Sequence, residues 1–304
     1  MAHDHDHSHD HQSARRLGLA LALTAGFMLV ELVGGVLTGS LALIADAGHM
    51  LTDAAALALA IWAIRIARRP ADERRSYGYH RMQVLAAFVN GLSLVAIAAW
   101  IVIEAVRRLA EPGPVLAGPM LGVAVTGLVV NLVAFALLHG GDEDDVNRRG
   151  AALHVLADLL GSAAAIAAAL IILLTGWWPA DPLLSLITAV LIGRTGWSLA
   201  KRTGHVLLEG APEEFDADAV RRRLIDDIDA VGDVHHLHSW SLKPGLSLMT
   251  LHVCLRTPDA DADATLHAVH ELLAREFGCD HVTVQIEPGV CPDDAGQGHP
   301  TAAH

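Results

Sequence analysis

The chain up to about residue 200 is a succession of long apolar runs separated by short polar breaks. Six runs reach the roughly 20 residues needed to cross a bilayer as a helix. The first extends from Leu17 to Leu37, and the second from Leu41 to Ile66 after a tight Thr38-Gly39-Ser40 turn. The third covers Met82 to Leu109, the fourth Leu116 to Leu138, the fifth Ala151 to Thr175 and the sixth Pro182 to Ala200. Beyond the sixth run the pattern changes to short amphipathic segments. Asp216 to Asp229 has helical periodicity, with Asp216 or Asp218 placed as an N-cap. Val234 to Leu242 and Leu246 to Leu255 read as strands joined at Lys243-Pro244-Gly245, a turn signal. Asp261 to Phe277 reads as a second helix with Leu266, Val269, Leu272 and Leu273 on one face, and His281 to Ile286 alternates as a third strand. The pattern predicts a polytopic α-helical membrane protein of six transmembrane helices, followed by a soluble α+β domain of order α-β-β-α-β, ferredoxin-like in kind.

Composition agrees with that division. The 304 residues are 53% hydrophobic, with a mean hydropathy of +0.40. Arginines mark one side of the spans. Arg15 and Arg16 precede the first, Arg65, Arg68, Arg69, Arg74, Arg75 and Arg81 surround the loop between the second and third, Arg148 and Arg149 precede the fifth, and Lys201 and Arg202 follow the sixth. The positive-inside rule therefore places both termini in the cytoplasm. Arg107 and Arg108 are the exception, since they end the third span on the outer side, where snorkelling is the available explanation. The first apolar run lacks a small-residue cleavage site and reads as a retained span. A net charge of -13 argues against a nucleic-acid partner. The three cysteines, Cys254, Cys279 and Cys291, all fall in the soluble third, as a reducing cytosol would allow.

The 19 histidines change the picture most. On the second span, His49 and Asp53 stand at i and i+4, so they share a helix face, and Asp46 lies three residues before on much the same face. On the fifth span, His154 and Asp158 repeat the spacing. Each ionisable residue at a span centre costs about 2.5–3.5 kcal/mol, so Asp46, Asp53 and Asp158 together cost roughly 7–10 kcal/mol before compensation. A lone intramembrane histidine is most simply a satisfied polar residue or interhelical glue. Two matching pairs on two spans instead supply the four nitrogen and oxygen donors of a tetrahedral Zn²⁺ site. Imidazole suits zinc, whereas all-oxygen sets suit manganese. No His-Glu-x-x-His is present, and four facing ligands leave no open water position, which argues against a metalloenzyme. A metal sensor would need no ligands inside the membrane.

These pairs, the six spans and the soluble tail resemble the cation diffusion facilitator family, in its zinc-efflux branch. Further phrases carry the likeness: Ser76-Tyr77-Gly78-Tyr79 with Arg81, Glu104-Ala105-Val106-Arg107-Arg108, Leu208-Glu209-Gly210-Ala211-Pro212 and Val234-His235-His236-Leu237-His238-Ser239-Trp240. The resemblance runs from about Arg15 to Glu287. It implies a secondary transporter, not an enzyme, that exports Zn²⁺, with His49, Asp53, His154 and Asp158 as the transport site; because these groups bind metal only when deprotonated, exchange for protons is the expected mechanism. The same fold exporting Co²⁺, Ni²⁺, Cd²⁺ or Fe²⁺ is the alternative. It also implies a homodimer through the C-terminal domain and structural or regulatory zinc held in the soluble domain by His235, His252, His281 and Glu287, to which His238 and Cys291 are further candidates; the Ala- and Arg-rich composition suggests a multi-pass location in a bacterial inner membrane. Some relatives hold another metal in the loop between the second and third spans with one Asp and two His. In this chain those places read Asp72, Arg75 and Tyr79, so no site is assigned there.

The domain reading that follows is a disordered His-rich tail over 1–14, a transport domain over 15–208, a metal-binding and dimerisation domain over 209–290 and a disordered tail over 291–304. The segment from His3 to His11 holds five histidines in nine residues, polar enough for disorder and apt for weak metal capture near the cytoplasmic mouth. The acidic run Asp142-Glu143-Asp144-Asp145 reads as a solvated loop that could also attract cations.

Overall fold

The computed structural model describes residues 7–138, 146–279 and 281–288, with side chains described from residue 22 onward except at 135, 137–138, 146–158 and 160. The acidic run at 142–145, Cys291 and the 291–304 tail lie outside the described residues. The chain folds as two units, one of Met1–Ala63 with Ala86–Lys201, the other of Ile64–Leu85 with Arg202–His304.

Six long helices occupy the six apolar runs: α1 (His7–Thr38), α2 (Leu41–Ala67), α3 (Arg81–Ala110), α4 (Ala117–Leu138), α5 (Val146–Thr175) and α6 (Ala180–Leu207). Four of them carry a window long and apolar enough to cross a membrane, and the described parts of α1 and α5, Ala22–Thr38 and Gly161–Thr175, are apolar too. Two boundaries differ from the hydropathy reading. Helix α1 begins at His7, inside the segment assigned to a disordered tail. Once a span is helical, each further residue adds a hydrogen bond without a new nucleation cost, so polar residues can extend it. For the same reason α6 continues seven residues past Ala200 to Leu207.

Small residues let the membrane helices approach one another. Leu41 and Ala45 of α2 pack with Ile101 and Ala105 of α3 and Ala189 of α6. Ala42 and Leu43 of α2 pack with Met120 and Ala124 of α4 and with Ala165, Ala168 and Ala169 of α5. Where α3 meets α6, a Cβ on Gly91 would stand 2.7 Å from the Ala200 nitrogen, and one on Gly196 would stand 2.8 Å from the Gly91 carbonyl oxygen. Only a pair of glycines permits that crossing.

The first turn of α2 is fastened by a residue distant in sequence. The buried Asp181 carboxylate, in the first turn of α6, accepts from Ser40 Oγ at 2.7 Å, Leu41 N at 2.6 Å and Ala42 N at 3.2 Å. Ser40 Oγ in turn accepts from Leu43 N at 3.3 Å. Orphan amides that open every helix are thus satisfied for α2 by its own cap residue and by α6. Asp181→Ala is expected to lower stability by about 2 kcal/mol, because it strands buried donors, and the fall in the thermal midpoint of the purified protein measures it. Nearby, Arg108 donates through Nε to Glu104 Oε1 at 2.9 Å and through Nη1 to the Gly39 carbonyl after α1. Arg108 therefore holds the α1–α2 turn, a role the snorkelling expectation for this pair does not include.

The second unit contains α7 (Ala217–Asp227), β1 (Val231–Lys243), β2 (Leu246–Leu255), α8 (Ala262–Phe277) and β3 (His281–Glu287). Asp216 caps α7 by accepting from Asp218 N and Ala219 N, and Asp261 caps α8 by accepting from Ala264 N. Gly245, at φ +76, closes the hairpin where a side chain would be strained. The sheet order is β1-β2-β3, antiparallel at the first pairing and parallel at the second, as a β-α-β crossover through α8 requires. Val220 and Leu224 of α7 and Val269, Leu272 and Leu273 of α8 pack on Val231, Val234, Met249, Leu251 and Val253. The helices cover that face, and the alternate residues of β2 and β3 point to the other.

Candidate metal centres

On α2, His49 Nε2 lies 3.5 Å from Asp53 Oδ2, and both side chains are half-buried. One turn of helix accounts for the meeting, since residues four apart are stacked. Asp46, on the same stripe, is only 3% exposed. A Cβ on Gly161 of α5 would collide with Asp46 Oδ1 and stand 3.0 Å from its Cγ. Asp46 therefore faces α5 at Gly161, where the absence of a side chain makes room. His154 and Asp158 belong to α5, seven and three residues before Gly161, a spacing that puts all three on one stripe. The side chains of His154 and Asp158 lie outside the described residues.

The bundle contains a further acid that the span-by-span reading passed over. Glu31 on α1 is fully buried, and a Cβ on Gly127 of α4 would stand 2.7 Å from its Oε1. One turn on, the buried Asn131 donates from Nδ2 to Ser162 Oγ of α5 at 3.4 Å. The signal was available: a lone Glu inside an apolar run raises the same energetic question as Asp46. Asp181 had no such signal, because Pro182 after it reads as the start of a span and the acid as its flank.

In the soluble unit, His235, His252 and Glu287 converge on the open face of the sheet. His252 Nδ1 lies 2.9 Å and His235 Nε2 3.3 Å from the Glu287 carboxylate, which is 3% exposed. Strand register explains this: His235 pairs with His252, and Cys254 pairs with Glu287. Cys254 Sγ consequently joins, donating to Glu287 Oε2 at 3.6 Å and standing 4.0 Å from His235 Nδ1. Ligand atoms of His235, Cys254 and Glu287, and separately of His235, His236 and His252, lie within 4.8 Å of one another. Nitrogen, sulfur and carboxylate donors at that spacing fit a zinc ion.

The position of His281 departs from the expected ligand set. It pairs with Leu248 at the start of β3, six residues or about 20 Å of strand from Glu287. Its ring instead meets Tyr77 edge-on with centroids 5.7 Å apart. His236 joins the cluster in its stead, with its ring centroid 5.1 Å from His235 and 4.9 Å from His252. Regular alternation would send His235 and His236 to opposite faces. A bulge intervenes: the register shifts between His235 and His238, and His236 sits at φ +46. His238 pairs with Thr250, beyond that bulge.

The loop between α2 and α3 contains a charge cluster of its own. Asp72 accepts from Tyr79 Oη at 2.6 Å and from the amides of Arg74 and Arg75. The Arg75 guanidinium lies over the Tyr79 ring at 4.7 Å. The Tyr79 hydroxyl, followed by these amides and Arg75, holds the Asp72 carboxyl below its ordinary pKa. Its hold on the loop is therefore complete above the ordinary carboxylate range and is lost as pH falls through the lowered value. Arginine and tyrosine occupy the places where the resemblance allows histidine ligands.

Comparison with known proteins accords with this architecture. The family description "Cation efflux transmembrane domain" matches residues 17–208, and "Cation efflux protein, cytoplasmic domain" matches residues 212–289. The chain is 50% identical over 280 residues to the zinc transporter ZitB of Escherichia coli K12, covering 91% of this chain and 88% of that protein. It is 48% identical to ZitB of Pectobacterium atrosepticum, over 92% of this chain and 87% of that one. It is 42% identical to the metal cation efflux system protein CzcD of Cupriavidus metallidurans, over 93% of this chain and 90% of that one.

Proposed function

This chain belongs to the cation efflux family, the cation diffusion facilitators, and from that premise we propose that it exports Zn²⁺ from the cytoplasm in exchange for protons. The observation that carries the reading is the His49–Asp53 pair, 3.5 Å apart on a membrane helix whose Asp46 packs against Gly161 of α5. His154 and Asp158, on the Gly161 stripe, complete four donors for the transported ion. Names of relatives agree: those at 48–50% identity are zinc transporters.

Imidazole and carboxylate bind metal only when deprotonated. Protons entering from outside compete for the same four groups and release the ion there, so flux in one direction drives the other. Reconstituted vesicles test this directly. An imposed proton gradient is expected to drive Zn²⁺ in the opposite direction, and Zn²⁺ flux indifferent to that gradient would sink the exchange mechanism. Competition by Cd²⁺, Co²⁺, Ni²⁺ and Fe²⁺ in the same assay ranks the alternative cargoes.

The soluble domain adds a second role for the metal. His235, His252 and Glu287, with Cys254 and His236, would hold structural or regulatory Zn²⁺, and the domain would join two copies of the chain. Both termini then lie on the cytoplasmic side of a bacterial inner membrane. Glu287→Ala is expected to remove bound zinc from this domain, because the carboxylate stands between both histidines. The zinc content of the purified protein, compared with that of His281→Ala, is the measurement. Loss in the His281 variant and retention in the Glu287 variant would reverse the assignment.

A further inference from the structure

Arginine is concentrated where α2 leaves the apolar region. Residues 65–81 hold six of the 21 Lys and Arg in a chain of net charge -13. Two of these are engaged. Arg75 lies over Tyr79, and Arg81 pairs with Glu209 at 3.1 Å. Arg68 and Arg69 differ: among the described residues no carboxylate lies within salt-bridge distance of either, nor of Lys243. All three line one concavity of about 610 Å³ in the second unit, together with Tyr77, His80 and His281. Among the described residues no Asp or Glu lines it. Apart from Ser76 and Gln83 its remaining wall is apolar, chiefly from Ile64 and Ala67 in the last turns of α2 and from Leu242, Leu246 and Leu248 of the sheet.

Two arginines, a lysine, a tyrosine and two imidazoles around this hollow favour an anion with several acceptor oxygens, of which phosphate is the commonest. The apolar wall favours an amphiphile over a free ion. The hollow also includes the last turns of α2, a membrane-spanning helix, and basic clusters next to the ends of such helices attract anionic lipid. We propose that this pocket binds the phosphate headgroup of an anionic phospholipid from the cytoplasmic leaflet. His281, which the sequence placed among metal ligands, belongs instead to this site, with Tyr77 against its ring.

The test uses the full-length protein in neutral-lipid nanodiscs and native mass spectrometry, with phosphatidylglycerol and phosphatidylcholine as probes and inorganic phosphate as competitor. Wild type is expected to retain phosphatidylglycerol about tenfold more tightly than phosphatidylcholine. Arg68→Gln/Arg69→Gln/Lys243→Gln is expected to abolish that preference, while Arg68→Lys/Arg69→Lys keeps most of it. If the triple variant does not fold, Lys243→Gln alone, next to the exposed turn, is expected to reduce it severalfold. Equal retention of the two lipids by wild type, or an unchanged preference in the folded variants, overturns the proposal. Displacement of the lipid by equimolar phosphate overturns it too, by assigning the pocket to a soluble anion. Positive-inside topology alone predicts arginines here but no such preference in the purified protein.

Discussion

Asp53→Ala is expected to lower Zn²⁺ flux by about 100-fold or more, since even outer partners of metal ligands cost 10–100-fold when removed. Asp53 is proposed as a direct ligand, so its loss belongs at or beyond the top of that range. The substitution also leaves His49 without the carboxylate 3.5 Å from its Nε2. Asp53→Asn separates charge from shape: it keeps an oxygen in place but removes the negative charge that offsets the dication, and is expected to fall nearly as far. His49→Asp asks a different question. An all-oxygen set suits manganese better than zinc, so Zn²⁺ flux should drop while Mn²⁺ flux rises. The rival account holds that the pair is interhelical glue worth about 1 kcal/mol. It predicts altered stability with flux intact. Initial rates in reconstituted vesicles, normalised to inserted protein, separate the two, and undiminished flux in Asp53→Ala would remove α2 from the transport site.

The features readable in advance were those that depend on near neighbours. Apolar length marks the spans, and an Asp before an amphipathic run narrows the cap of α7 to Asp216 or Asp218, of which Asp216 is the one that caps it. Even the His49–Asp53 contact follows from helix geometry alone. What escaped depends on partners far along the chain or on departures from a regular period. The amides opening α2 find their acceptor in Asp181, 140 residues away from Leu41. The family resemblance groups His281 with His235 and His252, and all three lie on strands of one sheet. Register, which sequence alternation does not set, slides it to the far end of β3. Cys254 enters the cluster by that same register. His236 enters through a bulge, and a bulge breaks the very alternation used to assign faces. Glu209, two residues past the end of α6, takes φ +62 without being a glycine and is paired with Arg81. Such a local cost, compensated by a distant charge, has no signature in a window of sequence.

Gly161→Val is expected to abolish transport while leaving a folded protein, with flux about 100-fold below wild type, the size of effect a displacement of about 1 Å produces at a reacting centre. Gly161 is where α5 comes against the Asp46 carboxylate, and any Cβ there meets Cγ at 3.0 Å with an oxygen closer still. Ala165, Ala168 and Ala169 continue the same small-residue stripe against Ala42 and Leu43 of α2. The approach of the two helices is therefore set along this seam, and His154 and Asp158 lie on its continuation. A larger residue must push α5 from α2 or turn Asp46 aside, and either parts the two halves of the proposed site. The partner substitution identifies which. If the collision is the cause, Asp46→Ala combined with Gly161→Ala restores most of the flux that Gly161→Ala removes, because the atoms in conflict are gone. If Asp46 itself is needed for transport, Asp46→Ala alone is inactive and the double variant stays inactive. Overpacking of this kind costs about 1–3 kcal/mol, small enough for a multi-span protein to remain inserted. Gly161→Val with wild-type flux would mean that α2 and α5 do not share the ion, and the four-donor site would have to be abandoned.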